Sequence, residues 1–279
     1  MNKLAALTLL AFCFTANAQA QNPPGWDAFV AGNLRVARQE ARTAAEQKAT
    51  ADSFALACRA GLAIGGFLET GEPAVLSLHG AIEDCEKALK IDPKHYVAAL
   101  SHAIAIGFEG LRIRKASYAR ASKREIEQFI QHYPQNALAR GSLAGWHAAV
   151  AEEGWLARLF LGASRARAKS LYAEALLLPN LETPLTYEYI RFLASGNRQD
   201  REKAMTLANE VLMQSPKDGF EAVLHTKLEP LLDALRRGDK NSIKQSISEA
   251  TPFIGIDNWG KPDRVGLGAF PLWEQEAPR

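Results

Sequence analysis

The chain has 279 residues, enough for one large domain or two small ones, and its 47% apolar fraction is that of a folded protein. Its 33 basic residues stand against 31 acidic ones, a net charge of +2. That balance excludes a global field that would draw the chain to nucleic acid or acidic lipid.

The N-terminus reads as an export signal. "MNKLAALTLLAFCFTANAQAQ" has one basic residue, Lys3, an apolar run from Leu4 to Phe14, and small residues at Ala16, Ala18 and Ala20. This is the grammar of a cleaved secretory peptide, with cleavage after Ala18 or Ala20, so residues 1–20 are expected to be removed. A lipoprotein signal wants a small residue before its cysteine, whereas Phe12 precedes Cys13. The product, beginning near Gln21, is expected to be a soluble periplasmic protein. No membrane span is expected, since "YVAALSHAIAIGF" is interrupted by His102 and followed by Glu109.

Beyond the signal, alternating strand patterns are nearly absent and helical periodicity is everywhere, so the class is all-α. A helical segment is predicted from Trp26 towards Lys48. Pairs of helices follow over 50–90, 95–132, 136–178 and 183–214, with a last pair over 217–249. In the first pair, "ETGEP" (Glu69 to Pro73) has the Gly and Pro of a helix-to-helix turn. Cys58 lies thirteen positions before Gly71 and Cys85 fourteen after it, so the two face each other across antiparallel helices. In an oxidising compartment this predicts a Cys58–Cys85 disulfide, stabilising by about 3 kcal/mol in the chain-entropy picture. Two buried free thiols are the other reading.

A spacing then recurs. Ala81, Ala88 and Pro93 are separated by seven and five, as are Ala204, Val211 and Pro216; Ser122, Phe129 and Pro134 match more loosely. Ala168 and Ala175 repeat the seven, with Pro179 one residue early. Small residues seven apart let a neighbouring helix approach, and the proline ends the helix. The prolines are 41, 45 and 37 residues apart. The unit A-x6-A-x4-P, best seen in "AIEDCEKALKIDP", resembles the second helix of a tetratricopeptide repeat (TPR). The resemblance implies a TPR-like solenoid of antiparallel helix hairpins over residues 21–250, with a concave groove. The longer spacing and the missing first-helix signature depart from the family pattern. More faintly, the chain resembles the T component of tripartite (TRAP) transporters. That would make it the small-ligand-binding component of a periplasmic transport system, with Tyr96–Phe108 lining a pocket or filling a core.

Two basic runs stand out. One holds Arg112, Arg114, Lys115, Arg120, Lys123 and Arg124; the other holds Arg158, Arg165, Arg167 and Lys169. They belong to adjacent pairs, so in a solenoid they would merge into one basic surface. Together with Trp146, His147 and Trp155 they are the candidate docking face for a protein or peptide partner, acidic by complementarity. Solvated helix faces and ordinary core aromatics are the plainer readings.

Gly162-Ala163-Ser164-Arg165-Ala166 is one residue short of a nucleophile elbow, so a hydrolase using Ser164 is weighed. Its flanks are helical, however, and Ser164 suits a helix N-cap. The six histidines show no metal-ligand spacing, and no phosphate loop or dinucleotide fingerprint occurs, so no metal or cofactor is expected. The irregular end, 251–279, carries Phe253, Trp259, Phe270 and Trp273, and is expected to pack back on the repeats. The leading expectation is a non-enzymatic scaffold that binds through a partly basic groove.

Overall fold

The computed structural model describes residues 22–256, and every regular element among them is a helix. The helices are α1 (Trp26–Val30), α2 (Leu34–Gln47), α3 (Ala51–Ala63), α4 (Gly71–Ile91), α5 (Tyr96–Ile113), α6 (Ala116–His132) and α7 (Ala137–Glu152). They continue with α8 (Trp155–Leu161), α9 (Arg165–Ala175), α10 (Thr183–Ala194), α11 (Arg198–Leu212), α12 (Gly219–Arg237) and α13 (Lys240–Glu249). A π-helical turn, Ile64–Leu68, extends α3. The predicted signal, and Trp259, Phe270 and Trp273, lie outside the described residues.

The boundaries follow from local chemistry. Pro93, Pro134, Pro179 and Pro216 all fall in connections, where their missing N–H and fixed φ stop one helix before the next. Two positions after three of these prolines stands a side chain that caps the next helix. His95 Nδ1 accepts from the Ala98 amide, Asn136 from Ala139 and Asp218 from Glu221. The exception is Pro179, the irregular member of the series; there Asn180 is left-handed and Glu182 makes no cap. All eight spaced positions before the prolines, Ala81 to Val211, are buried.

Helices pack in pairs, α3 on α4, α5 on α6, α7 on α9, α10 on α11 and α12 on α13, and the pair expected over 136–178 holds a third helix, α8, between its members in sequence. The first members also touch in a row, α3 with α5, α5 with α7, α7 with α10, and α10 with α12. The row curls until its ends meet. Helix α12 packs on α1, Arg59 of α3 pairs with Asp218 at 3.2 Å, and Phe67 stacks against both Tyr187 and Phe220. The Phe67 ring thus joins the end of α3 to α10 and α12.

Cys58 and Cys85 are disulfide-bonded, with their Cα atoms 5.3 Å apart, as their symmetry about the turn predicts. The turn itself is tighter than "ETGEP": only Glu69 and Thr70 lie outside helix, and Pro73 sits in the first turn of α4. One expectation needs correcting. Ala51–Leu68 is long and apolar enough, by length and composition, to cross a membrane. It packs between α2 and α4, with Ala57, Cys58 and Ala60 fully buried.

The end of the described chain folds inwards, as expected for at least its first residues. Phe253 seats beside Gly65 and Gly66 of the π turn and stacks on Phe108, with ring centroids 4.8 Å apart. Its amide donates to the Gly66 carbonyl at 2.9 Å. Arg191 donates to Thr251 Oγ1 at 2.6 Å, and the Tyr187 hydroxyl donates to the Ala250 carbonyl at 2.6 Å.

Candidate functional site

The tertiary fold divides the predicted docking residues into two groups. Arg112 belongs to the interior: its Nε donates to Glu109 Oε2 at 2.8 Å and its Nη2 to Glu109 Oε1 at 2.7 Å. His79 Nε2 lies 3.0 Å from the same carboxylate. A fork-shaped guanidinium satisfies a carboxylate bidentately, which is what makes so deep a charge tolerable. Arg112 therefore leaves the docking face. Trp146 and His147 leave it too. Both are buried, and the Trp146 indole donates to the Ala119 carbonyl at 2.8 Å. Burial lowers the His147 pKa to about 4, helped by Lys123 and Arg167, so it presents no cation at neutral pH.

The second basic run, acid-free in sequence, acquires acids in space. Arg165 donates to Glu152 at 2.9 Å and lies over the Phe192 ring, Arg167 lies 3.5 Å from Glu174, and Lys169 pairs with Asp200. Four predicted arginines remain at the surface with no hydrogen bond or ion pair among the described residues: Arg114, Arg120, Arg124 and Arg158. The two runs do come together. Ala119 of α6 packs with Trp146, Ala157 and Leu161 in one small cluster, so α6, α7 and α8 adjoin.

Helix α8 is what sequence reasoning missed. One side, Ala157 and Leu161, packs against α6 and α7. The other side holds Trp155, Leu156, Leu159 and Phe160, which are 66%, 50%, 68% and 74% exposed. Gly154 (φ 110°) and Gly162 (φ 67°) bracket it, both in backbone that L side chains rarely adopt, and a Cβ at either would enter open space. Helix α8 is thus an uncovered apolar ridge between two glycine joints, with Arg158 on the helix itself and α6, which carries Arg120 and Arg124, packed on its other side. Only Trp155 was legible as a surface candidate. The signal available was the run "WLARLFL" between two glycines, which reads equally as a strand before an elbow.

Ser164 caps α9, its hydroxyl accepting from the Arg167 amide at 3.3 Å, and the segment before it is helix rather than strand. Tyr96–Phe108 forms the body of α5, whose Ala98, Leu100, Ala103, Ala105 and Ile106 are buried against neighbouring helices. A cavity of about 420 Å³ lies elsewhere, between α2 and α4, lined by Arg35, Arg38, Arg42, Glu69 and Ser77 among others. Its cations are already matched. Arg35 pairs with Glu69, and Arg42 donates to both oxygens of Asp84. No cluster of potential metal ligands occurs among the described residues.

The fold and the surface together define an all-α protein of paired helices with an internal disulfide and an exposed apolar knob. Compared with family models, curated proteins and solved structures, the chain matches none, so the residues themselves carry the functional argument.

Proposed function

We propose that this chain is an exported, TPR-like helical-repeat docking protein without catalytic chemistry, and that it binds through the α8 knob and its arginine border. The observation that carries this reading is the outward face of α8, where four large apolar side chains stand in water side by side. Soluble monomers rarely leave such a contiguous patch uncovered unless something binds there. The buried seven-residue spacing and the P-x-cap connections support stacked hairpins as the scaffold. The disulfide is consistent with an oxidising compartment, as the N-terminal signal pattern implies. The surface chosen is the α8 face rather than the expected groove, because Phe67, Tyr187, Phe220 and Phe253 pack against other aromatic rings while the large apolar side chains of α8 stand exposed.

The test is photo-crosslinking in the cells that make the protein. A photoreactive residue at Leu159 is expected to couple to whatever covers the knob, a protein, a second copy or membrane lipid, while the same group at exposed Lys240 of α13 is not. Equal, background coupling at both positions would remove the docking reading.

A further inference from the structure

We infer that the α8 knob docks on the surface of an anionic lipid bilayer. This rests on the docking reading above and names the partner for that site. Three features select a membrane over a protein pocket.

The first is shape. The helix is bounded by two glycines at which a Cβ would enter open space, and its four exposed apolar residues share one outward face. A deformable surface receives such a face without a preformed counterpart. The second is residue type. Trp155 and Phe160 with Leu156 and Leu159 are the side chains that enter the boundary between headgroups and acyl chains. The opposite side of α8 is already seated on α6 and α7, so the helix lies flat with its free face outward.

The third is charge. Arg114, Arg120, Arg124 and Arg158 are exposed without partners among the described residues. Among the described residues, the acids near α8 are Glu152, which is engaged by Arg165, and Glu153 at the end of α7. Glu125 is held by His102, and Glu127 lies near Lys123. The excess is local, so it coexists with a whole-chain charge of only +2. Arginines spread over two elements suit a sheet of phosphates better than a single acidic side chain. Arg114 is itself left-handed (φ 50°) at the end of α5, where the corner turns into α6.

Flotation of the purified full chain with vesicles tests this. Vesicles of equal phosphatidylglycerol and phosphatidylcholine are compared with phosphatidylcholine alone, at low and high salt. The protein is expected to float with the anionic vesicles and to be released as salt screens the arginines. Leu159→Ser with Phe160→Ser is expected to lower partitioning by about tenfold or more. Arg114→Glu, Arg120→Glu and Arg158→Glu together are expected to erase the preference for phosphatidylglycerol. All five side chains are exposed or half-exposed at the surface, and an unchanged helical spectrum with an intact disulfide confirms folding. Every variant keeps the same N-terminus, so differences report on α8 and its border.

Equal binding by the parent and the Leu159/Phe160 variant would overturn the inference, as would no binding to anionic vesicles. If Leu159 still crosslinks to a protein or a second copy in cells while vesicles are ignored, the lipid assignment falls and the docking reading stands. If neither readout responds to α8, both fall.

Discussion

Glu109 keeps a carboxylate where almost no water reaches. Burial raises its pKa, but hydrogen bonds from Arg112 and His79 outweigh that and leave it lowered to about 2. A depressed carboxylate stabilises above its ordinary value near 4.5 and loses that contribution as pH falls towards 2. Arg112→Met strands this charge and should cost about 3–5 kcal/mol in urea unfolding, whereas Glu109→Leu with Arg112→Met should cost much less. His102 shows the opposite sign. Burial disfavours its cation, yet Glu125, 2.8 Å from Nδ1, and Glu86, 3.8 Å from Nε2, raise the pKa to about 9. The 3.8 Å contact is ion-pair distance, not a hydrogen bond. A raised histidine stabilises fully below 6.5, and that stability is lost as pH climbs through about 9. The contribution is roughly 3 kcal/mol at about 1.4 kcal/mol per pH unit. His102→Gln should flatten the alkaline limb of a stability–pH curve between pH 6.5 and 9 while leaving the acid limb in place.

At the scale of elements, the π turn after α3 explains why two glycines sit inside an apolar helix. A Cβ at Gly65 would come within 2.8 Å of the Phe253 ring and 2.9 Å of Ser77 Cβ. The glycines make a floor for the returning chain rather than for a neighbouring helix alone. Phe253→Ala should cost about 3 kcal/mol by emptying that seat, and should expose the chain after Thr251 to limited proteolysis. The same scale separates what sequence patterns reveal from what they hide. Helix pairs, prolines and the facing cysteines were legible because each depends on residues close in sequence. The roles of Arg112 and Trp146 were not. Arg112 bonds Glu109 only three positions away, but the burial of that pair, with His79 on the same carboxylate 30 positions from Glu109, comes from packing, and the Trp146 partner, the Ala119 carbonyl, lies 27 positions away. Helix α8 was hidden for another reason: its seven residues are too few to show a helical period.

For the whole molecule, closure of the row is the feature with the largest consequence. Gly219, the first residue of α12, presses directly on the backbone of Gly32 after α1, where a Cβ would overlap the Gly32 main chain. Gly219→Leu should therefore part α12 from α1 and break the Arg59–Asp218 pair, while the helix pairs persist. Small-angle scattering should show a larger radius of gyration, with helical circular dichroism little changed; an unaltered radius would mean the ends are not held by this contact. A closed row also turns the binding surface outward, which is why the knob on α8 rather than an inner groove carries the proposed function. Burying its four apolar side chains from half- to three-quarters exposure is worth several kcal/mol at ~1.5–3 kcal/mol per large side chain.

By itself the sequence determined the helical class, the proline stops between helices and the Cys58–Cys85 bond, but not the third helix, α8, inside the pair expected over 136–178. Those follow from periodicity, proline stops and distance along the chain, all of which are local. Only the tertiary structure decided which arginines keep their charge in water and which apolar run stays uncovered. Exposure is set by what the distant parts of the chain bring alongside a residue. Identical side chains in one run, Arg112 and Arg114, therefore end on opposite sides of the protein surface, one buried on a carboxylate and one exposed at the end of α5.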